Sequence, residues 1–134
     1  MEEKLEKVMN ELYKRKERVR FFYGDPETGR DWGEQLDTQG YVSKSTGRKP
    51  IYLLVSKINS TGGEAILVDN IVKITVNKKT VYQTDNYQTP TLEIREDPDI
   101  GFCVYRENEP YFTNEERVKC ENFIKFLQGE RNRI

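Results

Sequence analysis

The sequence predicts an α+β fold, a small antiparallel β-barrel-like domain with an N-terminal and a C-terminal helix. Three observations predict it. Apolar residues recur at helical spacing near both ends of the chain. Short alternating segments, separated by loops bearing Gly, Asn or Pro, fill the middle. A length of 134 residues provides for one core, so residues 1–134 are read as a single domain: a helix over 1–19, a β-rich barrel over 18–112 and a helix over 113–129.

In the first helix, Leu5, Val8, Met9 and Leu12 make one narrow apolar stripe, and the basic run Lys14-Arg15-Lys16 suits the negative end of the helix dipole. From Arg18 the period changes. Residues Arg18 to Tyr23 alternate as a strand that ends in the turn Gly24-Asp25-Pro26-Glu27-Thr28-Gly29. Further strands are expected over Gly40–Lys44, Ile51–Lys57, Glu64–Val68, Ile71–Val76 and Thr80–Thr84, with Asn77-Lys78-Lys79 as a tight hairpin. A second pair, Thr91–Arg95 and Ile100–Arg106, flanks the turn Asp97-Pro98-Asp99. Thr113 and Glu116 have the spacing of a capping box for a helix from Asn114 to Gln128, with Gly129 as its stop and Phe123 and Phe126 on its core face.

Composition excludes several function classes. There is no histidine, which removes the usual general base, the commonest nitrogen ligand for metals and every Ser-His-Asp arrangement. The two cysteines, Cys103 and Cys120, form no CxxC pair and read as reduced thiols. Carboxylates crowd the stretch Asp25, Glu27, Asp31, Glu34 and Asp37, but without EF-hand spacing, so exposed loop acids are the expectation and neither a metal nor a cofactor is expected. No catalytic residue is assigned and the chain is not read as an enzyme. The N-terminus mixes charges every few residues and holds no apolar core of a signal peptide, so a cytoplasmic protein without a membrane partner is expected. The net charge is only −1, yet Tyr41–Thr80 holds seven basic residues against two acidic, and Asp85–Glu116 two against nine. Two differently solvated faces account for such asymmetry.

Three loops share one vocabulary: Glu27-Thr28-Gly29-Arg30, Ser45-Thr46-Gly47-Arg48 and Ser60-Thr61-Gly62-Gly63. Gly lets successive N–H groups point into a concavity, Ser and Thr add neutral donors, and Arg binds phosphate at two points. The outline is that of a phosphate or nucleotide cradle, although hairpin turns explain the same residues and no loop has P-loop spacing. Thr28, Gly29, Arg30, Ser45, Thr46, Gly47 and Arg48 are the candidates for phosphate or ribose, with Asn59, Ser60, Gly62 and Gly63 as further donors. Trp32, Tyr82 and Tyr87 are the candidates for stacking on a base, although a tryptophan in a small barrel is more often part of the core, which is the favoured place for Trp32.

The stretch Arg18 to Asp25, then Thr28-Gly29-Arg30-Asp31-Trp32, Gly40-Tyr41-Val42, Ser45-Thr46-Gly47, Tyr52-Leu53-Leu54, Ser60-Thr61-Gly62-Gly63, Ala65-Ile66-Leu67 and Ile71-Val72-Lys73-Ile74 resembles small proteins of phages and mobile elements of Firmicutes, as does the ending Phe112 to Arg131. The polar loops are similar to those of Thoeris anti-defence proteins. That resemblance implies a non-catalytic, oligomeric sponge that binds a cyclic or ADP-ribose-type nucleotide signal without cleaving it. Here Lys44 stands where the pattern has arginine, which leaves Arg30, Arg48 and Lys57 to carry the charge. Two other readings stay open. One is a protein–protein inhibitor or adaptor of a host complex, whose acidic stretch Asp85–Glu116 mimics nucleic acid or whose two helices dock that complex. The other is a single-stranded nucleic-acid binder using Lys44, Arg48, Lys49, Lys57, Lys78 and Lys79. Under each, a homo-oligomer is expected, a two-fold dimer being the simplest.

Overall fold

The computed structural model describes residues 2–56 and 63–128. The chain divides into two compact units, Met1–Gln88 and Thr89–Ile134.

In the first unit, helix α1 (Glu3–Arg15) is followed by β1 (Val19–Asp25), β2 (Arg30–Leu36), β3 (Gly40–Lys44), β4 (Tyr52–Ser56), β5 (Gly63–Ala65), a 3-10 turn (Val68–Asn70), β6 (Ile71–Val76) and β7 (Lys79–Gln83). One antiparallel sheet has the order β2-β1-β6-β7 and a second the order β3-β4-β5. The α1 stripe Leu5, Met9 and Leu12 is buried together with Val19, Phe21 and Tyr23 of β1, Val42 and Leu54 of β3 and β4, and Ile71, Ile74 and Val76 of β6. Alternation along β1 explains this choice, because every second side chain meets the core.

The other face of β1 carries Arg20 and Phe22. Arg20 and Arg18 both reach Asp37, whose carboxylate is 1% exposed, with nitrogen–oxygen separations of 3.2 and 3.3 Å. Asp37 also accepts the Gln39 N–H at 2.9 Å, so the buried charge is matched on both oxygens.

The second unit is a meander, β8 (Leu92–Asp97), β9 (Gly101–Arg106) and β10 (Glu109–Asn114), in the order β10-β9-β8, followed by α2 (Arg117–Leu127). Phe123 of α2 stacks on Phe112 of β10 with centroids 4.4 Å apart. Among its described residues Val104 and Cys120 are fully buried, and Cys103 is buried as well.

The α+β class is as expected; among the described residues no closed barrel is seen. The described strands lie in three open antiparallel sheets, with β2 and β7 at the edges of one and β3 and β5 at those of another. β5 is only three residues long, too short to carry pairing onward, and it gives way to the 3-10 turn where a strand to Val68 was expected. The first helix ends at Arg15 rather than at residue 19. Lys16 takes a left-handed conformation (φ 57°) and donates its N–H to Leu12 O, which caps the helix.

Two strands carry no signal in the sequence. β2 contains Gly33, at φ 80°, in a bulge opposite Tyr23 and Gly24 that breaks its alternation. β10 contains Pro110, tolerated because β10 is an edge strand with a register shift there. The capping box is also absent. Thr113 pairs with Cys103 in β10, and Glu116 stands at the N-cap without a side-chain cap, its N–H donated to Asn114 Oδ1 at 2.8 Å. The proposed stop, Gly129, lies outside the described residues.

Candidate functional site

The Thr28–Arg30 turn has little left to offer a ligand's phosphate. Gly29 N–H donates to Asp25 O at 2.8 Å, Glu27 N–H to Asp25 Oδ1 at 3.0 Å and Arg30 N–H to Thr28 Oγ1 at 3.3 Å. The carbonyls are held as well: Gln88 donates its N–H to Gly29 O and its Nε2 to Thr28 O, both at 2.8 Å, and Asn86 Nδ2 donates to Glu27 O at 2.6 Å. A Cβ at Gly29 would stand 1.9 Å from Asn86 O. The turn is a latch for residues 86–88, with the Arg30 side chain left exposed.

The second loop closes the β3–β4 hairpin. Ser45 and Ile51 exchange bonds of 2.9 Å, Ser45 N–H to Ile51 O and Ile51 N–H to Ser45 Oγ. Thr46, Gly47, Arg48 and Lys49 are exposed beyond that closure, and Gly47 (φ 134°) has open space around it. In the third loop Asn59, Ser60 and Gly62 lie outside the described residues, as does Lys57, while Gly63 opens β5 opposite Val55.

The stacking candidates are not brought to one place by any shared contact. Trp32, at the β2 bulge, is 44% exposed and so does not fill a core. Tyr87 donates its hydroxyl to Asp31 Oδ2 at 3.0 Å, with Lys73 Nζ 5.7 Å from its ring centroid. Tyr82 is buried on β7 and donates to Glu2 Oε2 at 2.9 Å. Burial, then the hydrogen bond to Glu2 and the charges of Glu2 and Asp85, push its phenol up to about 12.

A different surface, unmarked by the loop motifs, gathers positive charge against aromatic rings. It lies between α1 and the β3–β4 hairpin. Lys16 Nζ sits 4.0 Å from the Tyr13 ring centroid and 5.4 Å from that of Tyr41. Lys44 Nζ sits 5.0 Å from Tyr13 and 5.1 Å from Tyr52.

Local structure places each of these groups. The left-handed cap turns Lys16 back so that its ammonium donates to Val42 O at 2.9 Å. Register pairs Lys44 with Tyr52, and Asn10 Oδ1 accepts from both, Tyr52 OH at 2.9 Å and Lys44 Nζ at 3.4 Å. Each ammonium has three N–H donors and uses one of them on these partners. Among the described residues neither ammonium has a carboxylate partner within ion-pair distance. Tyr13 and Lys16, like Tyr41 and Lys44, are three apart in the sequence, the one signal available beforehand; only folding joins the two pairs.

The first unit also has a cleft of about 570 Å³ beside the start of α1, with Leu5, Val68, Ile71 and Tyr82 among its walls. Glu2, Asp69 and Asp85 face it against the single ammonium of Lys4, so its charge is the wrong sign for a phosphate. Of the clustered acids, Asp25, Asp31 and Asp37 are engaged by backbone N–H groups, and among the described residues no group of three or more metal-ligating side chains converges. No helix among the described residues is long and apolar enough to cross a membrane. Comparison of the chain with protein-family models, with curated proteins and with solved structures gives no match.

Proposed function

We propose that this protein is a non-catalytic binder that sequesters a nucleotide-like anion of the cyclic or ADP-ribose type, with Lys16 and Lys44 holding its phosphate. One observation carries the reading: two ammonium groups stand 4.0 and 5.0 Å from the same tyrosine ring centroid, with no carboxylate partner among the described residues. An anion that reaches both ammonium groups accepts their spare N–H donors, and among the described residues neither a neighbouring carboxylate nor an ion pair competes with it. The exposed Arg48 and Lys49 at the hairpin tip extend the positive field and draw an anion toward the patch. Tyr41 and Tyr52 add amphipathic surface suited to ribose or base. A histidine-free chain has no ordinary base for turning such a ligand over, which favours retention. The resemblance to phage and mobile-element proteins gives retention a purpose, the removal of a defence signal.

Titration calorimetry with cyclic ADP-ribose, ADP-ribose and cyclic dinucleotides tests the reading. At least one is expected to bind, and Lys16→Gln with Lys44→Gln is expected to weaken it tenfold or more, since one charge-assisted hydrogen bond contributes about 1.5–3 kcal/mol. Absence of heat with every nucleotide, from protein with a folded circular dichroism spectrum, overturns it.

A further inference from the structure

Along the exposed side of α1, four charged residues follow one another at intervals of four: Glu3, Lys7, Glu11 and Arg15, the last three bordering the β6–β7 hairpin side of the helix. They form one ridge of alternating sign. Within the chain they pair as Lys7–Glu3 at 4.0 Å and Arg15–Glu11 at 3.5 Å, with all four side chains more than half exposed, so these contacts hold the charges only loosely. Directly beside the ridge lies an apolar groove of about 280 Å³ between α1 and the β6–β7 hairpin, walled by Val8, Leu12, Val76 and Val81. Val81 is 44% exposed at a bulge of the edge strand β7.

We infer that this flank docks a second copy of the chain, with the two α1 helices antiparallel across the groove. The charge order decides the occupant and the direction. A two-fold axis midway between Lys7 and Glu11 sets Lys7 against Glu11 of the second copy, Glu11 against Lys7, and Glu3 against Arg15, so every facing pair is opposite in sign. A parallel arrangement in register sets each residue against its own kind and is repulsive. Ridges at four-residue spacing are also those that interdigitate in the commonest helix packing, and the pairing removes Val81 and the rim of the groove from water. Tyr13, Lys16 and Lys44 are not among the walls of the groove, so the lysine–tyrosine patch is left outside this interface.

Light scattering on the eluting protein reads the outcome directly. The wild type is expected at twice the 15.8 kDa chain mass. Lys7→Glu and Glu11→Lys each create two like-charge facings and are expected at the single mass, with unchanged circular dichroism. An equimolar mixture of these two variants is expected to return to the double mass, as is the Lys7→Glu/Glu11→Lys double variant, because in both cases the facing charges are again opposite. A wild type at the single mass, single reversals that stay dimeric, or a mixture and double variant that stay monomeric each overturn the proposal.

Discussion

Asp37 and Tyr82 show how single residues of this chain acquire roles that their types alone do not announce. Asp37 belongs to a run of loop acids, yet it is the one gripped by Arg18 and Arg20, and burial makes that grip strong and its loss costly. Tyr82, a stacking candidate in the sequence, instead closes against Glu2 at the start of α1. Its phenol is pushed up to about 12 from an ordinary value of 10.0, chiefly by burial and then by Glu2, so the folded state prefers the neutral form. Unfolding therefore releases this proton once the pH exceeds 10. The stabilisation is full below that value and is lost as pH rises toward about 12. Denaturant melts at stepped pH are expected to show stability falling over that window, and Tyr82→Phe is expected to flatten the fall.

At the scale of elements, hairpins are read well where the turn residues carry the conformation and poorly where pairing imposes it. Asn77 and Lys78 both take positive φ (48° and 73°), the pair of angles that matches the twist of two adjoining strands, and asparagine announces it. Glu107 and Asn108 do the same (52° and 65°), but glutamate there gives no warning, so β10 goes unseen. The β1–β2 hairpin depends on Gly29, which combines φ 77° with a close approach to the Asn86 backbone. Gly29→Ala is expected to cost about 2–4 kcal/mol, from left-handed strain together with a displaced backbone contact, measured as a shift of the denaturant midpoint. A change below about 0.5 kcal/mol would show that the 86–88 latch is not tight.

At the scale of the molecule, the charge blocks of the sequence resolve into the two units. Residues 1–88 hold fifteen Lys and Arg against thirteen Asp and Glu, and residues 89–134 seven against ten. The core is unequal as well. The first unit buries a cluster running from Leu5 to Tyr82, whereas among the described residues of the second only Cys103, Val104 and Cys120 are buried apolar side chains. A small unit with a thin core opens more readily. Amide exchange is therefore expected to be slowest in β1 and β6 and faster throughout β8–β10, as read by mass spectrometry of peptides; equal protection in both units would contradict this ranking.

Much of the α+β plan was legible from the chain alone: both helices, and strands such as β3 and β6, whose bounds Gly40–Lys44 and Ile71–Val76 follow from alternation and flanking turn residues. Such features are local, and periodicity within one segment determines them. What only the tertiary structure decided is where segments meet. Gly33 and Pro110 hide strands that exist because a neighbouring strand supplies their hydrogen bonds. The Thr-Gly turn that looked like a cradle has the amides of Glu27, Gly29 and Arg30 engaged within the turn and its carbonyls taken by residues about sixty positions onward. Lys16 and Lys44 share a tyrosine ring because a helix cap and a hairpin register bring distant residues together. Sequence spacing encodes direction along one element, and the juxtaposition of elements arises only when their apolar faces pack.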